Sequence, residues 1–573
     1  MTPLVAEPPS VALSAPPTAS HKRAAQPALG QWSLASLAPQ LPLRFPVPAD
    51  LPPSPKQRYR SCYRPPDPTA LRDPAALAAT SDFEIALLLI DISPLEALLA
   101  QHYRPSRKGQ VPFHPVSLFL AICLRRERVL SWQGVAQLLA STHGAAWRAL
   151  FGFAAGVTPS ASGLRFFFQA VGGAVFDELC PRFVALLRAH DLFPTHSTYP
   201  GDPPTQGVTV SQDGMLHTAH DRSHCFFATA TCSQPRPERP VIPLTPVAAP
   251  RAACAAPAPI PAPPAPVRAR PCPAQEKGHA GCPCDSSACQ DRWARASPTD
   301  REARLIHYQG HNAKHGDTKG TKAKGRDVFG YRSIVERVLD DRFAVAWTVR
   351  SSLYSANTDE RTVFHERVQA LQAALPALPI GEWLDDAGVG YGPCLDAVWE
   401  LGALRMIDIR ADKSDEDPQT CRQRGYDAAG RPLCPHGYRL RANGYDHDRR
   451  RAKYVCAQAC RRESLTKEGP IAPVAGCPYL EPTHPLGMVV NVGKTLPAGS
   501  TRLAREIPYG SDTWKARYGR RNLSESRNSQ IEAVDLKRLP SSGMARGAKE
   551  IQLADFLINV RTLGRLVREA STP

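Results

Sequence analysis

The sequence predicts an α/β fold with inserts, preceded by an α-helical domain. Three observations carry that expectation. Apolar residues recur at helical spacing through residues 82–195. From about residue 205 the texture changes to β-branched runs that alternate with Ala/Leu-rich helical segments. Two Pro/Ala-rich blocks, residues 1–55 and 237–271, cannot pack a core and read as a disordered arm and a linker.

Taken in order, FHPVSLFLAICLRRERVLSWQGVAQLLAS (113–141) has helical apolar spacing with basic residues after its first run. PSASGLRFFFQAVGGAVFDELCPRFVALLRAH (159–190) opens on a serine cap and continues amphipathically. Several short helices, with Arg125, Arg126 and Arg128 between two of them, suggest a helix-turn-helix-like bundle docking on DNA. An ordinary helical domain with a solvated basic face fits the same pattern. GVTVSQDG (207–214) reads as a strand ending at Asp213-Gly214, and FAVAWTVRSS (343–352) as a buried strand. A helix (FHERVQALQAALPAL), the segment WLDDAGVGYG, a helix (CLDAVWELGAL) and the strand RMIDIR follow. The α/β domain is therefore expected over 205–232 and 300–573. It is interrupted by the linker, by a cysteine cluster at 272–290 and by a zinc-ribbon-like insert at 411–480.

At 573 residues and 43% hydrophobic, the chain can build more than one core. Its formal charge of +17 calls for an anionic partner, nucleic acid or a membrane surface. No apolar run approaches the roughly 18 residues of a spanning helix. The best candidate, IALLLIDISPLEALLA, is broken by Asp91, Pro94 and Glu96. MTPLVAEPPSVALSAPP lacks a basic stretch followed by an apolar block, so no secretory signal is expected. These features lead to the expectation of a cytoplasmic, nucleoid-associated protein whose sixteen cysteines are reduced or metal-bound.

Three acids carry the chemistry. Asp213 closes the first strand, although Asp-Gly is also a hairpin-turn pair. Asp386 lies in a loop before a helix, where it could equally be a cap or turn residue. Glu525 belongs to YGRRNLSE (518–525), in which Tyr518, Arg521 and Glu525 share one helical face. Arg521 and Glu525 also stand at the spacing of a surface ion pair worth a few tenths of a kcal/mol. Two aspartates and a distant helical glutamate suit a two-metal phosphoryl-transfer site, in which Mg²⁺ or Mn²⁺ is held by carboxylate oxygens. Metal makes such crowding of like charges tolerable. The arginines around Glu525 (Arg520, Arg521 and Arg527) would then hold phosphate.

Tyr518-x2-Arg521-x3-Glu525 resembles the start of the Tyr-Arg-Glu-Lys signature of bacterial insertion-sequence DDE transposases. Asp386-Ala-Gly-x-Gly-Tyr391 is similar to that family's second-aspartate motif, and Asp213-Gly214 to its first. The resemblance spans about 82–569 outside the proline-rich blocks. It implies a ribonuclease H-like fold with Asp213, Asp386 and Glu525 as metal ligands. It also implies cleavage at transposon ends followed by strand transfer into target DNA, by a homo-oligomer assembled on that DNA. Tyr518 and Arg521 would contact the transposon end. The family's lysine is Glu532 here, with Lys537 and Arg538 as substitutes further along. A catalytically inactive DNA-binding zinc protein, or a nuclease that cuts without joining, is the alternative.

Residues 501–573 hold fourteen Lys/Arg against eight Asp/Glu, which favours a phosphate-binding tail. Lys314, Lys319, Lys322, Lys324 and Arg326 form a glycine-punctuated basic loop that could follow a nucleic-acid backbone or simply be solvated. Cys434, Cys456, Cys460 and Cys477 have spacing suited to structural Zn²⁺ around a basic hairpin, RLRANGYDHDRRRAKYV. His436 is an alternative ligand. Cys272, Cys282, Cys284 and Cys289 form a second possible zinc site, tight at Cys282-Pro-Cys284.

Overall fold

The computed structural model describes residues 29–48, 51, 58–103, 111–220, 300, 302–308, 326–409, 417–456, 465–466, 469–470, 477–480, 486–496 and 499–572. A six-stranded mixed sheet organises them. Its strands are β1 (Val208–Thr218), β2 (Arg304–Tyr308), β3 (Arg326–Asp340), β4 (Val345–Ser355), β5 (Ile380–Asp385) and β6 (Leu404–Ile407). Across the sheet the order is β4–β3–β1–β5–β6, with β2 paired to the first residues of β3. β3 runs antiparallel to both β1 and β4, whereas β5 is parallel to β1 and β6 to β5.

β1 is central, and its first six residues, Val208 to Asp213, are all buried. Both faces of such a strand must be covered by other elements. Helices α8 (Glu360–Ala374) and α9 (Gly392–Glu400) lie on the connections from β4 to β5 and from β5 to β6. Helices α10 (Asp512–Gly519), α11 (Arg521–Ala533) and α12 (Met544–Ser571) follow towards the C-terminus. Thr218 on β1 and Arg304 on β2 both lie opposite Gly330 of β3. The chain therefore leaves and re-enters the sheet around one residue.

The expected helices are present as α1 (Asp82–Leu89), α2 (Leu95–His102), α3 (Pro115–Glu127), α4 (Trp132–Ala140), α5 (Ala145–Phe151), α6 (Ala161–Ala170) and α7 (Gly173–Ala189). Ser160 caps α6 by accepting from the Gly163 amide at 3.1 Å. These helices share their core with the sheet. One continuous apolar cluster joins Phe83, Phe119 and Phe183 to Val210, Val338 and Trp383 of the sheet and to Phe556 of α12. Trp32, ahead of the helices, stacks on Trp347 of β4 with ring centroids 5.8 Å apart.

α12 is the seam between the two. Asn559 accepts from the Thr348 amide at 2.9 Å and donates to the Thr348 carbonyl at 2.7 Å, pairing backbone groups of β4 that would otherwise be an open edge. At Gly564 a Cβ would stand 1.8 Å from the Asp82 carbonyl oxygen, so the missing side chain lets α12 lie against α1. Glu550 receives both Arg125 and Arg126. Lys549 donates to the Phe168 and Gln169 carbonyls, both at 3.2 Å, and so satisfies the C-terminal end of α6.

The expectation that Arg125 and Arg126 belong to a DNA-docking face is thereby corrected. Arg125 and Arg126 are buried. Removed from water, each guanidinium needs a carboxylate, and Glu550 supplies it. Arg128 differs: it is exposed, with its guanidinium carbon 5.8 Å from the Trp147 ring centroid.

The basic hairpin is present as β7 (Arg441–Asp446) and β8 (Arg451–Val455), joined antiparallel. β9 (Val489–Val492) adds a third strand, so this small sheet extends past the expected insert end at 480. The blocks 237–271 and 272–290 lie outside the described residues, as do residues 1–28 of the arm and Lys314, Lys319, Lys322 and Lys324.

Candidate active site

Asp213 stands within β1 rather than at its end, because the strand runs on through Met215 to Thr218. The hairpin-turn alternative is therefore excluded. Gly214 matters for the space above the strand. A Cβ there would come 2.5 Å from Oε1 of Glu360, so the glycine leaves room for that carboxylate over the strand. Glu360 opens α8 and is held by Arg332 of β3 at 2.8 Å.

Asp386 follows directly on β5 and caps the turn Ala387–Val389, accepting from the Gly388 amide at 2.6 Å. The cap reading is thus correct, and that bond uses only one of the two carboxylate oxygens. Asp385, the last residue of β5, is buried and accepts from the Asp386 amide at 2.8 Å. Parallel pairing of β1 with β5 sets Ser211 beside Leu384, which places Asp213 and Asp386 at similar depth along neighbouring strands.

Glu525 lies on α11, one turn after Arg521, and the two form the expected ion pair at 2.6 Å. Arg521 does more than that. Its Nη2 also reaches Oδ1 of Asp213 at 3.2 Å and lies 3.9 Å from Oδ2 of Asp386. The three acids named from sequence therefore converge on one guanidinium. Asn528 donates to the other oxygen of Asp213 at 2.7 Å.

Charge is concentrated here. Burial pushes the Asp213 carboxyl up, with Arg521 and Asn528 opposing and Glu525 adding to the rise. Burial also raises Glu360, against Arg332 and with help from Asp386 and Asp213. Asp385 is pushed well up by burial and by its neighbours Asp386 and Glu360. Each shift opposes the charged form in a crowded, part-buried setting, which an additional cation would relieve.

The register of α11 is fixed by four arginines, two of which, Arg520 and Arg527, the sequence suggests for DNA. Arg520 is buried, pairs with Glu382 of β5 and reaches Asp341 at 2.9 Å. Arg517 joins it on Glu382 at 3.1 Å, and the Tyr199 ring lies 4.4 and 4.5 Å from the Arg517 and Arg520 guanidinium carbons. Burial pushes Glu382 up, but Arg520 and Arg517 together hold it below the usual carboxylate range. Arg527 is fully buried in a two-point pair with Asp555 of α12, both contacts at 2.8 Å. Arg337 of β3 donates to the Leu523 and Ser524 carbonyls at 3.1 and 3.2 Å. The expectation that Arg520 and Arg527 grip phosphate is corrected: both are spent inside the fold, and they aim Glu525.

Tyr518 stacks on Trp514 at 4.5 Å and is half-buried, and burial pushes its hydroxyl up. Lys537 pairs with Glu532, so the acid standing where the family has lysine is neutralised from within the chain. Arg538 donates to the His220 carbonyl at 2.5 Å.

Three side chains of this site escape the sequence reading. Asn528 has a signal, since 521, 525 and 528 share one helical face. Asp385 is adjacent to a residue already singled out. Glu360 carries no local signal, because the fold brings it in beside Gly214 and Arg332 of distant strands.

The donor set of three carboxylates from a strand, a strand end and a helix fits a hard divalent cation in kind. Their spacing is that of a cage around a guanidinium. Among the described residues no group of three or more His, Cys, Asp or Glu side chains is placed to hold a metal ion. This applies also to Cys434, Cys456 and Cys477, which are half-buried, with Cys434 and Cys456 packed against the Tyr426–Tyr454 apolar cluster. Cys460, Cys272, Cys282, Cys284 and Cys289 lie outside the described residues. Among the described residues no helix is long and apolar enough to cross a membrane. Set against protein-family models, curated proteins and solved structures, the chain matches none.

Proposed function

We propose that the chain is a metal-dependent DNA transposase with a ribonuclease H-like catalytic domain. The observation that carries this reading is the meeting of Asp213, Asp386 and Glu525 around Arg521. The sheet supports it: a long antiparallel hairpin on one side of β1, two parallel strands on the other, and acids on β1, after β5 and on a late helix. The formal charge of +17 supports a nucleic-acid partner.

In this reading Asp213, Asp386 and Glu525 would hold Mg²⁺ or Mn²⁺, which would supply Lewis-acid activation for phosphoryl transfer. The chain's own part is positional. Arg520, Arg527 and Arg337 hold α11 so that Glu525 faces the two strand-borne aspartates. Gly214 admits Glu360 beside them.

A labelled terminal inverted repeat incubated with the protein and Mg²⁺ or Mn²⁺ tests the proposal. Transposase activity gives cleaved ends and joined products. Cleavage without joining selects a nuclease, and DNA binding without either product selects an inactive binder.

A further inference from the structure

Arg520, Arg521 and Arg527 flank Glu525 in the chain, yet they are held in different ways. Arg520 and Arg527 are locked by buried acids on neighbouring elements. Arg521 is held by the carboxylates of the candidate site itself, at 2.6, 3.2 and 3.9 Å. Its Nε has no hydrogen-bond partner among the described residues. Its head group therefore stands where a cation shared by the three acids would stand.

The arrangement is mutually exclusive with a divalent ion. Carboxylate oxygens bind Mg²⁺ at about 2.0–2.1 Å and need the shared space between them. The guanidinium fills that space. A like charge brought beside it would also be repelled at short range. Relaxing the three contacts would free a planar donor suited to a phosphate, at the lip of the same site.

We propose that Arg521 is an internal counter-ion of the acid cluster, displaced when a divalent cation enters and released toward a DNA phosphate. This inference rests on the metal-dependent reading above. It makes cation and DNA binding mutually reinforcing, since each favours the state with Arg521 withdrawn from the acids. The site without cation or DNA is held closed by the chain's own side chain.

Mn²⁺ binding, followed by electron paramagnetic resonance without turnover, tests it. Arg521→Gln should bind Mn²⁺ roughly ten-fold or more tighter than the wild type, in line with ordinary coupling between sites. Arg521→Lys, which keeps the charge, should remain near wild type. Adding a short DNA duplex should tighten Mn²⁺ binding to the wild type and leave Arg521→Gln little changed. Equal affinity in wild type and Arg521→Gln overturns the exchange while leaving the metal site standing. If Arg521→Gln fails to melt cooperatively, the duplex titration of the wild type decides alone, and an unchanged Mn²⁺ affinity there overturns the exchange. Asp213→Asn and Glu525→Gln separate the two ideas: Mn²⁺ binding that survives both variants removes the metal-site reading itself.

Discussion

Arg527 of α11 and Asp555 of α12 form a two-point ion pair in which neither side chain reaches solvent, with both contacts at 2.8 Å. Arg527 also donates to Ser333 of β3 at 3.0 Å, so the pair fastens the glutamate-bearing helix to both α12 and the sheet. Breaking one side leaves a charge buried without a partner. Asp555→Ala should lower unfolding free energy by about 3–5 kcal/mol. The double variant Arg527→Met/Asp555→Leu should recover much of that loss. Urea unfolding measures both, and a loss below about 1 kcal/mol for Asp555→Ala would sink the claim.

Asp386 is half-exposed, and its carboxylate makes one backbone cap plus a loose 3.9 Å approach to Arg521. Asp386→Asn keeps the capping oxygen. Its melting temperature should therefore stay within a few degrees of wild type. On the proposed metal-dependent reading, cleavage should fall on the order of a thousand-fold, the scale of losing a metal ligand's transition-state contribution. A variant that cuts at the wild-type rate assigns the chemistry to another acid.

His217 is fully buried on β1. Its Nδ1 is 2.7 Å from the Leu536 carbonyl, which can only accept, so Nδ1 carries the proton. Nε2 then accepts from Ser333 at 2.7 Å. Burial, with Arg527 near by, lowers this histidine from 6.5 to about 4. The unfolded chain takes up a proton below about pH 6.5 that the folded chain refuses, so this contribution to stability is lost as pH falls from there towards 4, by up to about 3 kcal/mol. Asp213, Glu360 and Asp385, whose folded carboxyls are raised, act in the opposite sense at low pH. Comparing His217→Gln with wild type isolates the histidine: the variant's stability should fall less over that interval. Identical slopes would disprove the assignment.

Gly564 faces the Asp82 carbonyl so closely that an added Cβ collides with the backbone of α1. Gly564→Ala should cost about 2 kcal/mol or more through displacement of α12 from α1. Gly173→Ala is the control, because that helical position meets nothing within 4 Å and alanine favours helix there. Thermal melts of the two variants should move in opposite directions.

The helical region, the later strands and the three acids are legible in the sequence because they rest on local periodicity and on residue type. Partnership is not. Arg125 and Arg126 look like a basic face in their own segment, and only the fold brings Glu550 from the far end of the chain to meet them. The same holds for Arg520 with Glu382 and Arg527 with Asp555. Residue type reports an arginine's charge but not whether it falls inside the protein or on its surface. Asp213-Gly214 looks like a strand end because both residues disfavour strands. In the fold the glycine is tolerated there because Glu360 occupies the space of its missing side chain.

Thr218 and Arg304 flank Gly330 from its two sides, so they stand about two strand spacings, roughly 10 Å, apart. A Gly/Ser tether of about eight residues spans that gap without stretching. The described ends of this connection meet the sheet at one doorway, the two sides of Gly330. The frame that carries the three acids is thus closed at this point by backbone pairing on both sides of a single glycine.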